Sequence, residues 1–161
     1  MSRVLFVCLG NICRSPLAEG VFRKHAAQAG LFVEIDSAGT GSWHTGNAPD
    51  ARAIVAAREH GIDISEIRAR TFGQFDFDEF DLILVADRET LADVMRMEKP
   101  SSLARVDMLT KYSSRSDLIN MDIPDPYYTG QFDPVIAIIE DCVRNLTDYL
   151  KEEQDRSAAD A

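Results

Sequence analysis

The sequence predicts an α/β fold of three layers, a central four-stranded parallel sheet flanked by helices. Two observations carry that class. Short, continuous apolar runs such as Val4-Leu5-Phe6-Val7 and Leu82-Ile83-Leu84-Val85 read as strands buried on both faces. Segments of helical spacing alternate with them, and such alternation builds a parallel sheet. At 161 residues the chain suits one domain, placed at residues 1–150. The remainder, Lys151 to Ala161, is rich in Glu, Asp, Ser and Ala and reads as a flexible tail.

The elements follow in order. After the strand at Val4–Val7, residues 9–15 form a loop, and Pro16 suits the first turn of a helix because its missing N–H is not needed there. Leu17, Val21, Phe22 and His25 continue at helical spacing to about Ala29, and Gly30 stops the helix. Residues 31–35 form the second strand, and residues 37–49 a loop rich in Gly, Ser and Thr. Asp50 caps a helix through about His60, which Gly61 ends. The third strand is Leu82–Val85, a helix spans about Arg88–Met97, and a weaker strand lies within Leu103–Leu109. A Pro/Gly-bearing loop covers residues 120–130. A closing helix runs from Phe132 to Leu150 with Val135, Ile138, Ile139, Cys142, Val143 and Leu146 on one stripe.

Charge and cysteine content narrow the function classes. With 27 acidic against 17 basic residues the formal net charge is −10, which disfavours nucleic acid and anionic membrane as partners. No apolar run is long enough to span a membrane or to serve as a signal-peptide core. Three cysteines, an odd number with no signal sequence, point to a reducing cytoplasm. An anionic substrate must then be held by a local site, against the field of the whole chain.

Ligands of parallel sheets bind at the carboxyl ends of strands. The loop after the first strand reads Cys8-Leu9-Gly10-Asn11-Ile12-Cys13-Arg14-Ser15 and leads at once into a helix. A tight loop at a helix N-terminus aims backbone N–H groups into one concavity, to which the helix dipole adds positive potential. Arg14 brings a planar fork for two oxygens of a tetrahedral oxyanion. Cys8, on the floor of such a cradle, is expected to be an activated thiolate placed under a bound phosphorus. A nucleotide-binding P-loop needs Gly-Lys-Ser/Thr, and the dinucleotide fingerprint needs more glycines; neither is present. Cys8 and Cys13 have no further Cys or His pair to complete a metal site.

Residues 4–19, Val-Leu-Phe-Val-Cys-Leu-Gly-Asn-Ile-Cys-Arg-Ser-Pro-Leu-Ala-Glu, resemble the opening of the low-molecular-weight protein tyrosine phosphatases. Asp36-Ser37-Ala38-Gly39-Thr40, Pro49-Asp50, His60-Gly61-Ile62 and Asp125-Pro126-Tyr127-Tyr128 follow in the family's order, so the resemblance covers nearly the whole chain. It implies that Cys8 is the nucleophile, Arg14 the phosphate clamp and Asp125 the general acid. It implies a phosphate-binding loop of Leu9, Gly10, Asn11, Ile12, Cys13, Arg14 and Ser15. Asn11, Ser15 and Ser37 would hold its shape, with Ser15 donating to the thiolate. It implies no metal and no organic cofactor. One departure stands out: Ile67 occupies a position where the family often has a His before Ala-Arg, so a hydrogen bond supporting Asn11 is expected to be missing or replaced.

Chemistry alone asks for an acid near the leaving oxygen, on a loop outside the cradle. Asp122 and Asp125 both qualify, in Asp122-Ile123-Pro124-Asp125-Pro126-Tyr127-Tyr128. The flanking prolines restrict Asp125, and the resemblance selects it. Tyr127 and Tyr128 read as walls of an aromatic slot, with Leu9 beneath the ring and Trp43 and His44 at the mouth. Asp87, after the third strand, is placed near the rim at best.

The expected reaction is hydrolysis of phosphotyrosine through a phosphocysteine intermediate. Expected partners are phosphotyrosine-containing proteins, tyrosine kinases among the candidates, with phosphate or vanadate as competitive ligands. Two alternatives use the same cradle. A thiol-linked arsenate reductase needs further resolving cysteines, and residues 81–100 contain none. A catalytically silent phosphotyrosine-binding module would not need all three of Cys8, Arg14 and Asp125. Finally, Cys13 shares one tight loop with Cys8, which suggests a reversible Cys8–Cys13 disulfide that shields the nucleophile from peroxide. The resemblance points the same way.

Overall fold

The computed structural model describes residues 2–160. Four parallel strands, β1 (Ser2–Cys8), β2 (Val33–Gly39), β3 (Leu82–Val85) and β4 (Arg105–Met108), lie in the order β2-β1-β3-β4. The helices are α1 (Arg14–Ala29), α2 (Ala51–Glu59), α3 (Asp76–Glu79), α4 (Arg88–Arg96), α5 (Pro126–Thr129) and α6 (Phe132–Ala159), with a 3-10 turn at Leu109–Tyr112.

The apolar strands alternate between two cores, which is why they read as continuous runs. Val4 and Phe6 of β1 and Leu82 and Leu84 of β3 face a large core shared with α1, α2 and α6. Leu5, Val7, Ile83 and Val85 face a smaller one with Phe72, Phe77, Val94 and Met108. The sheet is therefore covered on both sides, as a parallel sheet must be. Strand β1 pairs with β2 on one side and β3 on the other. The chain leaves β1 toward α1 on one face and leaves β3 toward α4 on the opposite face. The crevice opens where those paths diverge, at the carboxyl ends of β1 and β3.

Strand β1 extends beyond the expected Val4–Val7 at both ends, and two further boundaries differ from the expected ones. Strand β2 runs Val33–Gly39 rather than 31–35. Leu31 is used to close α1: its N–H bonds to Ala26 O at 2.9 Å, with Gly30 at φ 65°. Polar Asp36 and Ser37 enter the strand because Arg70, Glu19 and Asn11 satisfy their side chains. The last difference corrects the tail. Helix α6 continues past Leu150 to Ala159. The segment is made of strong helix formers. Lys151 pairs with Asp155 at 3.1 Å, and the Gln154 amide bonds both the N–H and the carbonyl of Phe32. Ala161 lies outside the described residues.

Candidate active site

Cys8 ends β1, buried beneath the loop that joins β1 to α1. The loop curls back sharply, with Asn11 in the left-handed region at φ 57°. It passes so close to the end of β2 that a Cβ on Gly39 would sit 2.8 Å from Leu9 O. Glycine is required there by space rather than by backbone angle. Thr40 and Gly41 then donate their N–H groups to Cys8 O and Leu9 O at 3.0 and 2.8 Å, fastening the loop to the strand end.

A directed hydrogen-bond chain runs under the loop. Ser37 Oγ donates to the buried carboxylate of Glu19 at 2.7 Å, so its oxygen is left to accept from Asn11 Nδ2 at 3.0 Å. The other Asn11 amide hydrogen goes to Ser15 Oγ at 2.7 Å. Ser15 Oγ, already accepting from Asn11, can donate its hydrogen to Cys8 Sγ at 3.0 Å, a closer acceptor than Ala38 O at 3.5 Å. The Asn11 N–H also points at Cys8 Sγ, at 3.3 Å. Asn11 Oδ1 accepts the Arg70 N–H at 3.0 Å. That backbone donor supplies Asn11 with support where Ile67 replaces the expected His; Ile67 itself packs against the larger core. Arg70 is in turn held by Asp36 at 3.0 Å and by the fully buried Asp76.

Arg14 begins α1 and is almost fully buried, 4% exposed. Its Nη1 donates to Asp87 Oδ2 at 2.7 Å and to Ile123 O at 2.9 Å, while Nη2 lies 3.5 Å from Asp125 Oδ2. Burial opposes the charge on Arg14, but Cys8 and Asp87 outweigh it and its pKa is raised. Burial likewise pushes the Asp87 carboxyl up. The Thr90 amide and hydroxyl and the Arg14 guanidinium outweigh that, holding it below the usual carboxylate range. Asp87 is thus an anchor of the Arg14 guanidinium and not a rim residue, which corrects the reading from sequence. Its position was available in the pattern: it follows β3 at the crevice and caps α4 through the Thr90 N–H at 2.7 Å.

The two aspartates of the 120–130 loop separate clearly. Asp125 caps α5, accepting the Tyr127 N–H at 3.0 Å, and faces the cavity. Asp122 turns away to Arg88, whose backbone N–H and guanidinium hold it at 2.9–3.3 Å and keep its carboxyl below the usual range. Above Cys8 lies a cavity of about 190 Å³. Leu9, Gly10, Ile12, Cys13 and Arg14 form its base, and Trp43, His44, Asp125, Tyr127 and Tyr128 its walls. Asn11, Ser15 and Ser37 are buried below it. Tyr127 and Tyr128 meet edge to face at 5.1 Å, and Trp43 and Tyr128 remain 64% and 77% exposed. Cys8, Cys13 and Cys142 are all free thiols. Burial pushes the Cys13 thiol strongly up, and Cys142 in the core is pushed up to about 12. Among the described residues, no cluster of three or more His, Cys, Asp or Glu could hold a metal ion, and no helix is long and apolar enough to cross a membrane.

Comparison with known proteins agrees with this geometry. The family model described as "Low molecular weight phosphotyrosine protein phosphatase" matches residues 3–156. The low molecular weight protein-tyrosine-phosphatase YfkJ of Bacillus subtilis is 42% identical over 157 residues, 96% of this chain and 99% of that protein. The low molecular weight phosphotyrosine protein phosphatase of Schizosaccharomyces pombe is 41% identical, over 91% of each chain. The crystal structure of YfkJ superimposes with a TM-score of 0.88, covering 95% of this chain and 96% of that one. The match spans more than nine-tenths of the chain, in sequence and in fold, and the chain belongs to the low molecular weight phosphotyrosine protein phosphatase family.

Proposed function

We propose that the chain hydrolyses phosphotyrosine in proteins through a phosphocysteine intermediate. In the first step the Cys8 sulfur attacks phosphorus in line. The S–P bond forms as the P–O bond to the tyrosine breaks, and Asp125 gives its proton to the departing oxygen. Arg14 and the loop amides hold the three equatorial oxygens throughout. In the second step a water loses its proton to Asp125 and attacks phosphorus. The S–P bond breaks, and the sulfur keeps the electron pair, stabilised by Ser15 and the Asn11 N–H.

The observation that carries this reading is the stacking of three groups about one cavity: Cys8 at the floor, Arg14 beside it, Asp125 at the wall. The aromatic walls suit a phenyl ring between them, which favours phosphotyrosine over shorter phosphoesters. Inorganic phosphate and vanadate would compete for the cradle. We place the enzyme in the cytoplasm, acting on phosphotyrosine proteins that include tyrosine kinases. A reversible Cys8–Cys13 disulfide would protect the nucleophile, since both thiols are free within the same loop.

The test is chemical trapping. Turnover of a phosphotyrosine peptide is measured for the parent and for Cys8→Ser, and the parent is acid-quenched during turnover. Loss of turnover in Cys8→Ser, with phosphate carried on the Cys8 peptide of the quenched parent, is expected. Turnover by Cys8→Ser within tenfold of the parent would refute the mechanism.

A further inference from the structure

The nucleophile and the acid sit on loops far apart in sequence, and one exposed side chain outside the cavity spans them. Asp50 donates its N–H to Ile12 O, within the nucleophile loop, at 2.8 Å. The Asp50 carboxylate receives Arg52 through both fork nitrogens, at 3.0 and 2.9 Å, and through the Arg52 N–H at 2.8 Å. Arg52 Nη2 then donates to Tyr127 O at 3.2 Å. Its guanidinium lies over the rings of Tyr127 and Phe132, at 5.6 and 5.1 Å. Tyr127 is the residue whose N–H fixes the Asp125 carboxylate. Contacts therefore run from the Cys8 loop through Asp50, Arg52 and Tyr127 to Asp125.

We propose that Arg52 is a positioning residue for catalysis, holding the Asp125 loop in register with the Cys8 loop. The proposal rests on the assignment of Asp125 as the acid. Arg52 lines neither the floor nor the walls of the cavity. It acts on the reaction only through Tyr127 and Asp50. A planar fork is needed, because two nitrogens engage one carboxylate while the same group reaches a carbonyl and covers two rings. Geometry matters at this level: a misplacement of about 1 Å can cost up to about 10²-fold in rate.

A positioning role for the acid predicts a loss that depends on the leaving group. The experiment measures kcat/KM, which reports phosphoryl transfer to Cys8. It compares phenyl phosphate, whose leaving oxygen needs a proton, with 2,4-dinitrophenyl phosphate, whose leaving oxygen does not. Arg52→Met keeps the apolar stem over Phe132 and removes the fork; Arg52→Lys keeps the charge and carries the same test should the first variant fold poorly. Both are made in the parent and in Asp125→Asn, and inhibition by inorganic phosphate is recorded. For Arg52→Met we expect a loss of about tenfold on phenyl phosphate and at most about twofold on the dinitrophenyl ester. Phosphate inhibition should stay unchanged, nothing further should be lost in Asp125→Asn, and Arg52→Lys should recover part of the activity. Equal losses on both esters, an undiminished loss in Asp125→Asn, or no loss would overturn the proposal. Should Asp125→Asn itself show no leaving-group dependence, the acid assignment falls first and the role of Arg52 falls with it.

Discussion

Substituting Asp87 by Asn removes a charge from beside the buried Arg14 guanidinium while leaving a side chain that can still cap α4. Breaking a buried ion pair by deleting one partner costs about 3–5 kcal/mol, because the other charge stays behind unpaired. Here Arg14 keeps Ile123 O at 2.9 Å and has Asp125 nearby, and the Asp87 side chain is 17% exposed. These remaining partners and the partial exposure bring the cost to the bottom of that range or just under it, about 2–3 kcal/mol. For a chain of this size that corresponds to a fall in Tm of roughly 5–10 °C. Asp87→Ala also loses the bond to the Thr90 N–H, and a lost N-cap adds about 1 kcal/mol. Urea unfolding of the parent and both variants measures the two contributions separately. The charge contribution has a definite pH dependence. Asp87 is held below its ordinary range in the fold, so the stability it supplies is complete above the unfolded carboxylate pKa. It drains away as pH falls from about 5 through the depressed folded value. The gap between parent and Asp87→Asn should therefore close in acid, and the further gap to Asp87→Ala should persist. Asp87→Asn as stable as the parent at pH 7, or a gap unchanged on acidification, would refute the argument.

The catalytic assignments give further outcomes. Asp125→Ala should cost about 10²–10⁴-fold on phenyl phosphate, less on esters with acidic phenols, and Asp122→Ala far less on both; equal losses for the two aspartates in kcat/KM would mean that the acid is misassigned. Arg14→Lys should be severely impaired, since a point charge cannot replace a fork that grips two oxygens and Asp87 at once; a variant retaining most of its kcat would show that charge suffices. After peroxide and then dithiothreitol, the parent should recover activity and Cys13→Ser should not. Equal recovery, with no 8–13 crosslink in peptide maps, would remove the disulfide.

The fold was legible where local pattern and tertiary demand coincide. Leu82–Val85 is a strand in both readings, because the apolar run between Asp81 and Asp87 is too short for a helix and is buried on both faces. Gly30 ends α1 as its αL preference requires. The misplaced β2 shows the limit. Leu31 and Phe32 look like strand residues, yet Leu31 closes the preceding helix and Phe32 is 67% exposed. Asp36 and Ser37 look like loop residues, and only partners that the sequence does not place beside them make a strand tolerable there.

The same division runs through the site. Cys8, Arg14 and the loop between them are neighbours in the chain, so their spacing alone announces a cradle. The residues that make the cradle work arrive from elsewhere: Arg70 reaches Asn11 across 59 positions and Asp87 reaches Arg14 across 73. Arg70 has no local signature stronger than an ordinary surface charge, and Asp87 has only that of a helix cap after a strand. Both follow from one physical requirement that could have been imposed in advance. A buried guanidinium and a buried amide must have every hydrogen-bonding atom satisfied. Arg14 needs an anion at a strand end on the far side of the crevice, and the only acidic residue directly after β3 at that end is Asp87. Asn11, turned inward by its positive φ, needs a donor for Oδ1. The Ile67 side chain has no donor to offer, and the Arg70 backbone N–H supplies one at 3.0 Å. A demand met by a backbone N–H, as here, leaves no mark in the sequence where a motif would look for a side chain.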